Sequence, residues 1–262
     1  MSASPEELAA RIKQCLRARD EAAVEQVRPT PHGVALLTPS LPLVWALNQL
    51  RVDDREAGAR EVIAEVEEAL AGYAHRRLVV FDAELGARLT RELAGHGWNA
   101  ARHLLMARTR EPDRVPSPGS GAEVDRATGA ATLAAFRREQ PFGWQEEAVR
   151  QLAAMDERYG RVSRARDFAA PPGDPVCACR LYTAGGLAQI DEVGTIEAHR
   201  GQGHARSVVH AAAEAAAADG TDAVFLEAEA QDWPKDLYRR LGFDEVGELY
   251  QFLKPPPGYA GR

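Results

Sequence analysis

A loop rich in glycine and arginine has the composition of a phosphate-binding site. It follows an apolar run and precedes a segment with helical periodicity. Its sequence is Arg200-Gly201-Gln202-Gly203-His204-Ala205-Arg206. Where a strand enters a helix through small residues, several backbone N–H groups point into one concavity, with the positive end of the helix dipole behind them. The two arginines add charge that can pair with phosphate oxygens. We therefore predict that this 200–206 loop binds phosphate.

The same spacing is also that of an ordinary tight turn. The chain contains 22 glycines, so a Gly-x-Gly pair ahead of a helix arises easily. The loop has no lysine followed by Ser or Thr, as a P-loop has, and no third glycine at the dinucleotide-binding spacing. The choice between a turn and a phosphate site therefore depends on the residues that follow.

The segments after the loop resemble the GNAT superfamily of acyl-CoA-dependent N-acyltransferases. The pyrophosphate loop of that family reads Arg/Gln-x-x-Gly-x-Gly/Ala, and its second mark is a helix that ends in Leu-Tyr-x-x-Leu-Gly-Phe. The first mark is matched by Arg200, Gly203 and Ala205, and the second by Leu237, Tyr238, Leu241, Gly242 and Phe243. The resemblance implies the GNAT fold, an α/β fold of the α+β type with a mixed central sheet flanked by helices.

The resemblance also implies an activity and a cosubstrate. The chain is expected to be an N-acetyltransferase that passes an acetyl group from acetyl-CoA to a primary amine by direct attack in a ternary complex, without a metal. The phosphates would bind the N–H groups of residues 201–206, with Arg200 beside them. The backbone of Val193 and Thr195 would pair with the pantetheine arm like an added strand.

Two positions depart from the family pattern. Many members have Asn seven residues before the tyrosine, where this chain has Gln231 followed by Asp232, so Asp232 is a candidate contact of the acyl-CoA. Proline is common three residues before the arginine of the loop, and here that residue is Glu197.

Transfer to an amine requires a base or a desolvating pocket, because an alkyl ammonium with a pKa of about 10 loses its proton at neutral pH at a cost of about 4 kcal/mol. Glu192 and Glu227, on the two strands that splay apart in the family, are the candidates for this base, either directly or through water. Each could instead be a solvated charge at a strand end. A phenol can return a proton to the departing thiolate, so Tyr238 is the candidate acid. The alternative is an aromatic packing residue with its hydroxyl at the surface.

Composition limits the other classes. The net charge of −7 argues against nucleic acid as a partner, and no apolar run reaches the length of a membrane span. We expect a soluble cytoplasmic protein, a monomer or a homodimer, whose acceptor is a small-molecule or peptide amine. Cys15, Cys177 and Cys179 have no companions for a metal site and are expected to be small buried or half-buried residues.

Hydrophobic periodicity predicts the elements that position these residues. The predicted helices span 5–17, with Ser4 as the cap, and 60–71, 83–94, 130–137 and 146–156. Another predicted helix follows the 200–206 loop and ends at 218, and the last runs from near 232 to 241. The predicted strands span 33–37, 43–47, 77–81, 103–107, the region near 124, and 161–168, 176–182, 188–196, 223–226 and 248–253. Gly194 suggests a bulge in the strand at 188–196.

The two halves of the chain match each other without a gap. A shift of 145 positions lays Gly97-Trp98 on Gly242-Phe243, and the same shift lays residues 55–58 on residues 200–203. We therefore predict a degenerate GNAT-like domain at 1–111, a linker at 112–121 rich in Pro, Gly and Ser, and a GNAT domain at 122–262. The alternative is a chance alignment of two α/β units.

The first copy is altered at the positions that carry the chemistry. Leu93 takes the place of Tyr238, and Arg60 takes the place of Ala205. The residues beside the corresponding loop are acidic: Asp53, Asp54 and Glu56. Negative charge repels phosphate, so we predict no working cofactor site in the first half. Two further functions stay open for the chain, a catalytically silent acyl-CoA-binding regulatory module and an unrelated nucleotide-binding α/β protein.

Overall fold

A computed structural model describes residues 4–117, 119–143 and 145–259. Within these ranges the α-helices α1 to α7 span Pro5–Ala23, Ala59–Ala69, Ala83–Leu93, Arg126–Arg138, Glu146–Val162, His204–Ala218 and Pro234–Arg240. The strands β1 to β11 span Gln26–Thr30, Gly33–Leu37, Gln49–Val52, Arg76–Val80, Asn99–Arg108, Ala122–Val124, Arg164–Ala170, Cys177–Ala184, Leu187–Thr195, Ala223–Glu229 and Phe243–Lys254.

The chain forms two compact units. The first contains the described residues up to Leu105, together with Ala228–Asp232 and those from Val246 onward; the second contains Met106–Glu227 and Trp233–Glu245. The end of the last strand therefore packs in the first unit, whereas the predicted domains 1–111 and 122–262 are units of sequence. That sequence division stays a prediction. Of its linker at 112–121, Pro118 lies outside the described residues.

The first unit has a mixed sheet in the order β1-β2-β3-β4-β11. Strands β3 and β4 are parallel, and the other neighbours are antiparallel, with Tyr250 of β11 opposite Val80 of β4. The core lies where α2 and α3 cover this sheet. The apolar stripe of α2, with Val62 and Val66, is fully buried there together with Leu78 and Val80 of β4. The spacing of these residues, four apart in the helix and two apart in the strand, explains why both elements form.

The second unit repeats this plan with the order β6-β7-β8-β9-β10. Here β9 and β10 are parallel, and the other pairs are antiparallel. The Cys179 thiol of β8 contacts the Val208 carbonyl of α6, whereas the next residue, Arg180, pairs with Asp156 of α5. Successive strand residues point to opposite faces, so helices α6 and α5 cover opposite faces of the sheet. The predicted mixed sheet flanked by helices is confirmed.

Most predicted elements are confirmed, and the errors have local causes. Helix α1 begins as predicted at a capping box, in which the Ser4 hydroxyl accepts from the Glu7 N–H at 3.2 Å and the Glu7 carboxylate accepts from the Ser4 N–H at 2.8 Å. The predicted strand at 43–47 is wrong. Trp45–Leu47 is a short 3₁₀ turn, and the buried Asn48 side-chain amide that follows it donates to the carbonyls of Leu41 and Val44, which precede it, at 2.9 Å.

Two strands of the first unit have no counterpart in the prediction. Strand β1 is an edge strand with a mostly exposed surface and a proline, Pro29, so it lacks apolar alternation. Strand β3 buries all four of its residues, although Gln49 and Arg51 are polar, and its sequence therefore gives no hydrophobic signal.

The cysteines are small packing residues, as predicted: Cys177 and Cys179 are buried and Cys15 is partly buried. Among the described residues, no cluster of His, Cys, Asp or Glu is placed to hold a metal ion. None of the helices within the described ranges is both long enough and apolar enough to cross a bilayer.

Candidate active site

The 200–206 loop adopts a backbone conformation that two of its glycines make possible. Gly201 and Gly203 have φ values of 77° and 87°, a left-handed conformation that residues with a Cβ rarely adopt. An added Cβ at either position would meet no atom within 4 Å, so the glycines serve the backbone angle rather than a lack of space. Helix α6 begins immediately afterwards, at His204.

The backbone N–H groups of residues 201–206 have no acceptor within the part of the chain that the structure describes. The first bond of this turn runs from the Ser207 N–H to the Gly203 carbonyl at 3.2 Å. These donors lie at the positive end of α6, where an anion is stabilised. Arg200 and Arg206 form no ion pair with any described residue, although the Arg200 Nε donates to the Thr195 carbonyl at 3.3 Å. The arrangement therefore fits a phosphate or diphosphate group.

Strands β9 and β10 part next to this loop. Their parallel pairing runs from Leu187 opposite Ala223 to Gln189 opposite Phe225 and then stops, while both strands continue. The Ile196 N–H donates to Val176, which places Ile196 toward the β8 side. By strand alternation the N–H and C=O groups of Thr195 point the other way, into the gap, and such an open strand edge can accept an extended chain.

A β-bulge places Glu192 on this edge. Asp191 lies opposite Arg180 and Gly194 lies opposite Ala178, so Glu192 and Val193 together face the single residue Cys179. Among the described residues, Glu192 is the only residue other than glycine with a positive φ, 55°. The bulge predicted at Gly194 therefore lies one to two residues earlier.

Gly194 has a different reason to be glycine. A Cβ there would lie 2.4 Å from the ring of Phe136 on α4, so the residue is required for the close approach of that helix. The glycine within the strand therefore indicates close packing against α4 rather than the bulge.

The Glu192 carboxylate is held by Arg137 of α4. The Arg137 Nη2 and Nε donate to Glu192 Oε2 at 2.7 and 3.1 Å, and the Glu192 side chain is 23% exposed. Burial raises the pKa of the Glu192 carboxyl above its ordinary value, and the Arg137 charge opposes that rise. A carboxylate with a raised pKa is a better proton acceptor, as a general base requires.

Arg137 belongs to a buried chain of alternating charges that sequence analysis did not identify. It donates two hydrogen bonds of 2.9 Å to Asp156 of α5, and Arg180 of β8 contacts both Asp156 and Asp167 of β7 at 2.7 Å. The side chains of these four residues are at most 3% exposed. A signal was present: Asp156 interrupts the apolar stripe of α5, seven residues after the buried Val149 and three before the buried Tyr159.

Glu227 lies on β10 beyond the paired region. It is half-buried and accepts from the Gln189 Nε2 at 3.4 Å. Gln189 lies opposite Tyr182, which shares a face of β8 with Arg180. Both candidate bases, Glu192 and Glu227, therefore face the side of the sheet that α4 and α5 cover, each on one of the two parted strands.

The remaining predicted residues lie as follows. Tyr238 is on α7, only 7% exposed, with its ring edge-on to Phe243 at a centroid distance of 6.4 Å, so its ring is a packing residue of α7. Asp232 lies in the first unit, where its N–H donates to the Glu229 carbonyl at 3.1 Å. Glu197, at the usual proline position, uses its N–H to donate to the Glu139 carboxylate at 2.7 Å.

Comparisons with known proteins agree with this architecture. Residues 130–243 match the model of the acetyltransferase (GNAT) family. No curated protein matches the sequence.

Three solved structures share the fold. A functionally unknown conserved protein from Staphylococcus epidermidis has a TM-score of 0.64 and 18% identity, covering 90% of this chain and 95% of its own. A GCN5-related N-acetyltransferase from Kribbella flavida has a TM-score of 0.56 and 21% identity, with coverages of 95% and 96%. A tandem GNAT protein from the clavulanic acid biosynthesis pathway has a TM-score of 0.51 and 16% identity, with coverages of 85% and 78%. The chain thus has the GNAT fold, and its match to the GNAT acetyltransferase family model covers residues 130–243.

Proposed function

We propose that the second unit is an N-acyltransferase that moves an acetyl group from acetyl-CoA to a primary amine by direct attack in a ternary complex. The observation that carries this proposal is the row of N–H groups at residues 201–206, which have no acceptor among the described residues and lie where β9 and β10 part. Bound acetyl-CoA would supply an activated acyl thioester. The loop would hold its diphosphate, with Arg200 and Arg206 pairing with the charge, and the backbone of Val193 and Thr195 would hold the pantetheine arm.

The side chains of the parted strands and of α7 supply the proton transfers. Glu192 or Glu227, directly or through a water molecule, accepts a proton from the substrate ammonium, and the neutral amine forms the new C–N bond. As the C–S bond breaks, the Tyr238 hydroxyl gives its proton to the thiolate. The attacking nitrogen loses its second proton as the amide forms, and that proton restores the phenol. Asp232 stays a candidate contact of the cosubstrate. No step in this scheme needs a metal ion.

We propose that the first unit is a degenerate copy of the second. The shift of 145 positions recurs in the structure: α2 begins at Ala59 and α6 at His204, and Gly97 and Gly242 both adopt left-handed conformations with φ values of 75° and 88°. The fold shared with a tandem GNAT protein is consistent with this. In this proposal the first unit has a structural or substrate-shaping role and binds no cofactor of its own.

Calorimetric titration with acetyl-CoA tests the proposal, and absence of binding at millimolar concentration would exclude it. Tyr238→Phe then separates an enzyme from a silent acyl-CoA-binding module. We expect unchanged acetyl-CoA affinity with turnover lower by about 10²- to 10⁴-fold, the usual effect of losing a general acid. Tyr250→Phe, which removes a hydroxyl that contacts Glu248 in the first unit, is the matched control and should leave turnover unchanged. Acetyl-CoA binding without turnover on any amine of a broad panel would favour the silent module.

A further inference from the structure

Glu192 is bound by the protein through only one of its two carboxylate oxygens. Both Arg137 donors converge on Oε2, and no described residue bonds Oε1. A carboxylate held in this way has a fixed orientation and one oxygen available to a ligand. The ion pair therefore does not by itself prevent Glu192 from accepting a proton.

The bulge and the ion pair act together on the direction of Glu192. In a regular strand Asp191 and Glu192 would point to opposite faces. Asp191 lies opposite Arg180, which faces α5, so a regular strand would turn Glu192 toward the α6 side. The extra residue instead brings Glu192 to the side of Arg137, at the expense of a positive φ. Such a conformation persists only when its surroundings hold it in place.

Arg137 is itself fixed by a second carboxylate. Asp156 accepts from Nη1 and Nη2 at 2.9 Å in a bidentate pair, and Arg180 contacts the same Asp156 from the strand below. Long arginine side chains lose considerable freedom when pinned, and this chain of contacts pins Arg137 from two sides. The guanidinium therefore presents its Nε and Nη2 edge to Glu192 in a fixed place.

We propose that Arg137 is a positioning residue: held by Asp156, it keeps Glu192 ionised and oriented so that Oε1 receives the proton of the acceptor amine. This inference rests on the proposed acyl transfer and chooses Glu192 over Glu227 as the base. Arg137 acts through Glu192 and has no assigned contact with the substrate.

The charges around Glu192 change the pKa of its carboxyl in opposite directions. Arg137 of α4 stabilises the ionised form, whereas Asp156 of α5 and the adjacent Asp191 of β9 disfavour it. The polar groups of β7 and β8, namely Asp167, Arg180 and Tyr182, lie behind Asp156 on the same side of the sheet. Removing the Arg137 charge should therefore raise the pKa of Glu192, and removing the Asp156 charge should lower it.

The test is the pH dependence of kcat/KM in the full chain. With Arg137→Met, the acidic limb should move up by at least one pH unit, so that activity falls about tenfold or more at pH values below the limb and recovers above it. With Asp156→Asn, the limb should move to lower pH. Arg138→Met, which removes the neighbouring arginine paired with exposed Glu146, is the control and should not move the limb. Glu192→Gln should abolish the acidic limb.

Several outcomes would overturn the inference. One is a uniform loss of activity in Arg137→Met with no change in the pH of the acidic limb. Another is a shift of the limb in the same direction in Arg137→Met and Asp156→Asn. The third is a limb that stays unchanged in Glu192→Gln. If Arg137→Met does not fold, Arg137→Lys keeps the charge with a different geometry and should retain the position of the limb while lowering kcat.

A measurement without substrate separates this inference from the proposed function. Carboxyl carbons of ¹³C-labelled glutamate are titrated by NMR in the acetyl-CoA-free protein, with Glu192→Gln used to assign the signal. Opposite shifts in Arg137→Met and Asp156→Asn would establish the charge coupling even if the chain transferred no acyl group. A Glu192 pKa that moves in the same direction in both variants, or does not move, would refute the charge coupling even if the chain were an active transferase.

Discussion

Helices α6 and α2 begin 145 positions apart, and the backbone N–H groups of residues 201–204 and 56–59, which correspond at that shift, are bonded in opposite ways. At α6, the N–H groups of residues 201–206 have no acceptor among the described residues, and Arg200 and Arg206 stand beside them. At α2, each N–H from residue 56 to residue 59 is bonded to an acceptor within the first unit.

The acceptors at α2 are mostly carboxylates. Glu61 accepts from the Gly58 N–H at 2.8 Å, Glu92 accepts from the Ala59 N–H at 3.0 Å, and Asp54 accepts from the Glu56 N–H at 2.9 Å. Helix N-termini stabilise negative charge, whether it belongs to a ligand or to the chain itself. The first unit thus provides its own anions at the place where the second leaves room for an external one.

One pair of positions accounts for much of this difference. Glu61 is the third residue of α2, and the shift of 145 places it on Arg206, the third residue of α6. A glutamate there closes a capping box on the residue that precedes the helix, whereas an arginine leaves that N–H open and adds positive charge. The tyrosine position differs as well, since Leu93 is a fully buried core residue of α3.

The largest expected effect comes from giving α6 the residue that closes α2. Arg206→Glu would remove the proposed charge-assisted contact with phosphate, worth about 1.5–3 kcal/mol. It also adds a repulsion of about 1 kcal/mol. We expect the Kd for acetyl-CoA, measured by titration calorimetry, to rise by about 100- to 1000-fold.

The thermal stability of this variant should be unchanged or slightly higher, because the new carboxylate caps the helix. Arg206→Ala is the control: it removes the positive charge without adding an acceptor and should weaken binding less. Acetyl-CoA affinity equal to that of the unmodified chain in Arg206→Glu would show that the contrast between the two helix ends has no bearing on ligand binding.

A smaller effect is expected from the glycines that precede the two helices. Gly203→Ala forces a Cβ into a left-handed conformation and should lower the free energy of unfolding by about 1–2 kcal/mol. Gly58 has φ −93° and ψ 163°, an extended conformation open to any residue, so Gly58→Ala should cost less than about 1 kcal/mol. Urea unfolding of the two variants measures the difference. Equal losses of unfolding free energy would contradict the conclusion that, of the two glycines preceding these helices, only Gly203 is left-handed.

The position of the loop ahead of a helix could be predicted from sequence because the signal is local. Glycines, arginines and helix periodicity lie within one short stretch, and the structure places them at the start of α6 as expected. The same holds for most helices, whose apolar spacing is independent of distant residues. The functional roles of Glu192, Glu227 and Tyr238 stay predictions, although the structure does place both carboxylates on the strands that part.

What could not be predicted depends on contacts between distant segments. The buried ion pairs join four separate elements, through Arg137, Asp156, Arg180 and Asp167. No spacing in the sequence predicts that these residues are in contact. The bulge at Glu192 is set by pairing with β8, which a single strand does not reveal. Likewise, β11 ends in the first unit because Tyr250 and the residues after it pair with β4, far earlier in the chain.

The smallest expected effect concerns the capped start of α2. It tests the contribution of the Glu61 carboxylate separately from the other acceptors of the first unit. Glu61→Ala leaves the Gly58 N–H without its acceptor and should lower the free energy of unfolding by about 0.5–2 kcal/mol, the usual cost of losing a helix cap. Glu61→Gln keeps an oxygen within reach and should cost less, since glutamine also closes a capping box. Both variants should bind acetyl-CoA as the unmodified chain does, because Glu92 and Asp54 still occupy their N–H groups and repel a phosphate. A second acetyl-CoA binding event in Glu61→Ala would mean that a single carboxylate, rather than the full set, had closed the first unit to the ligand.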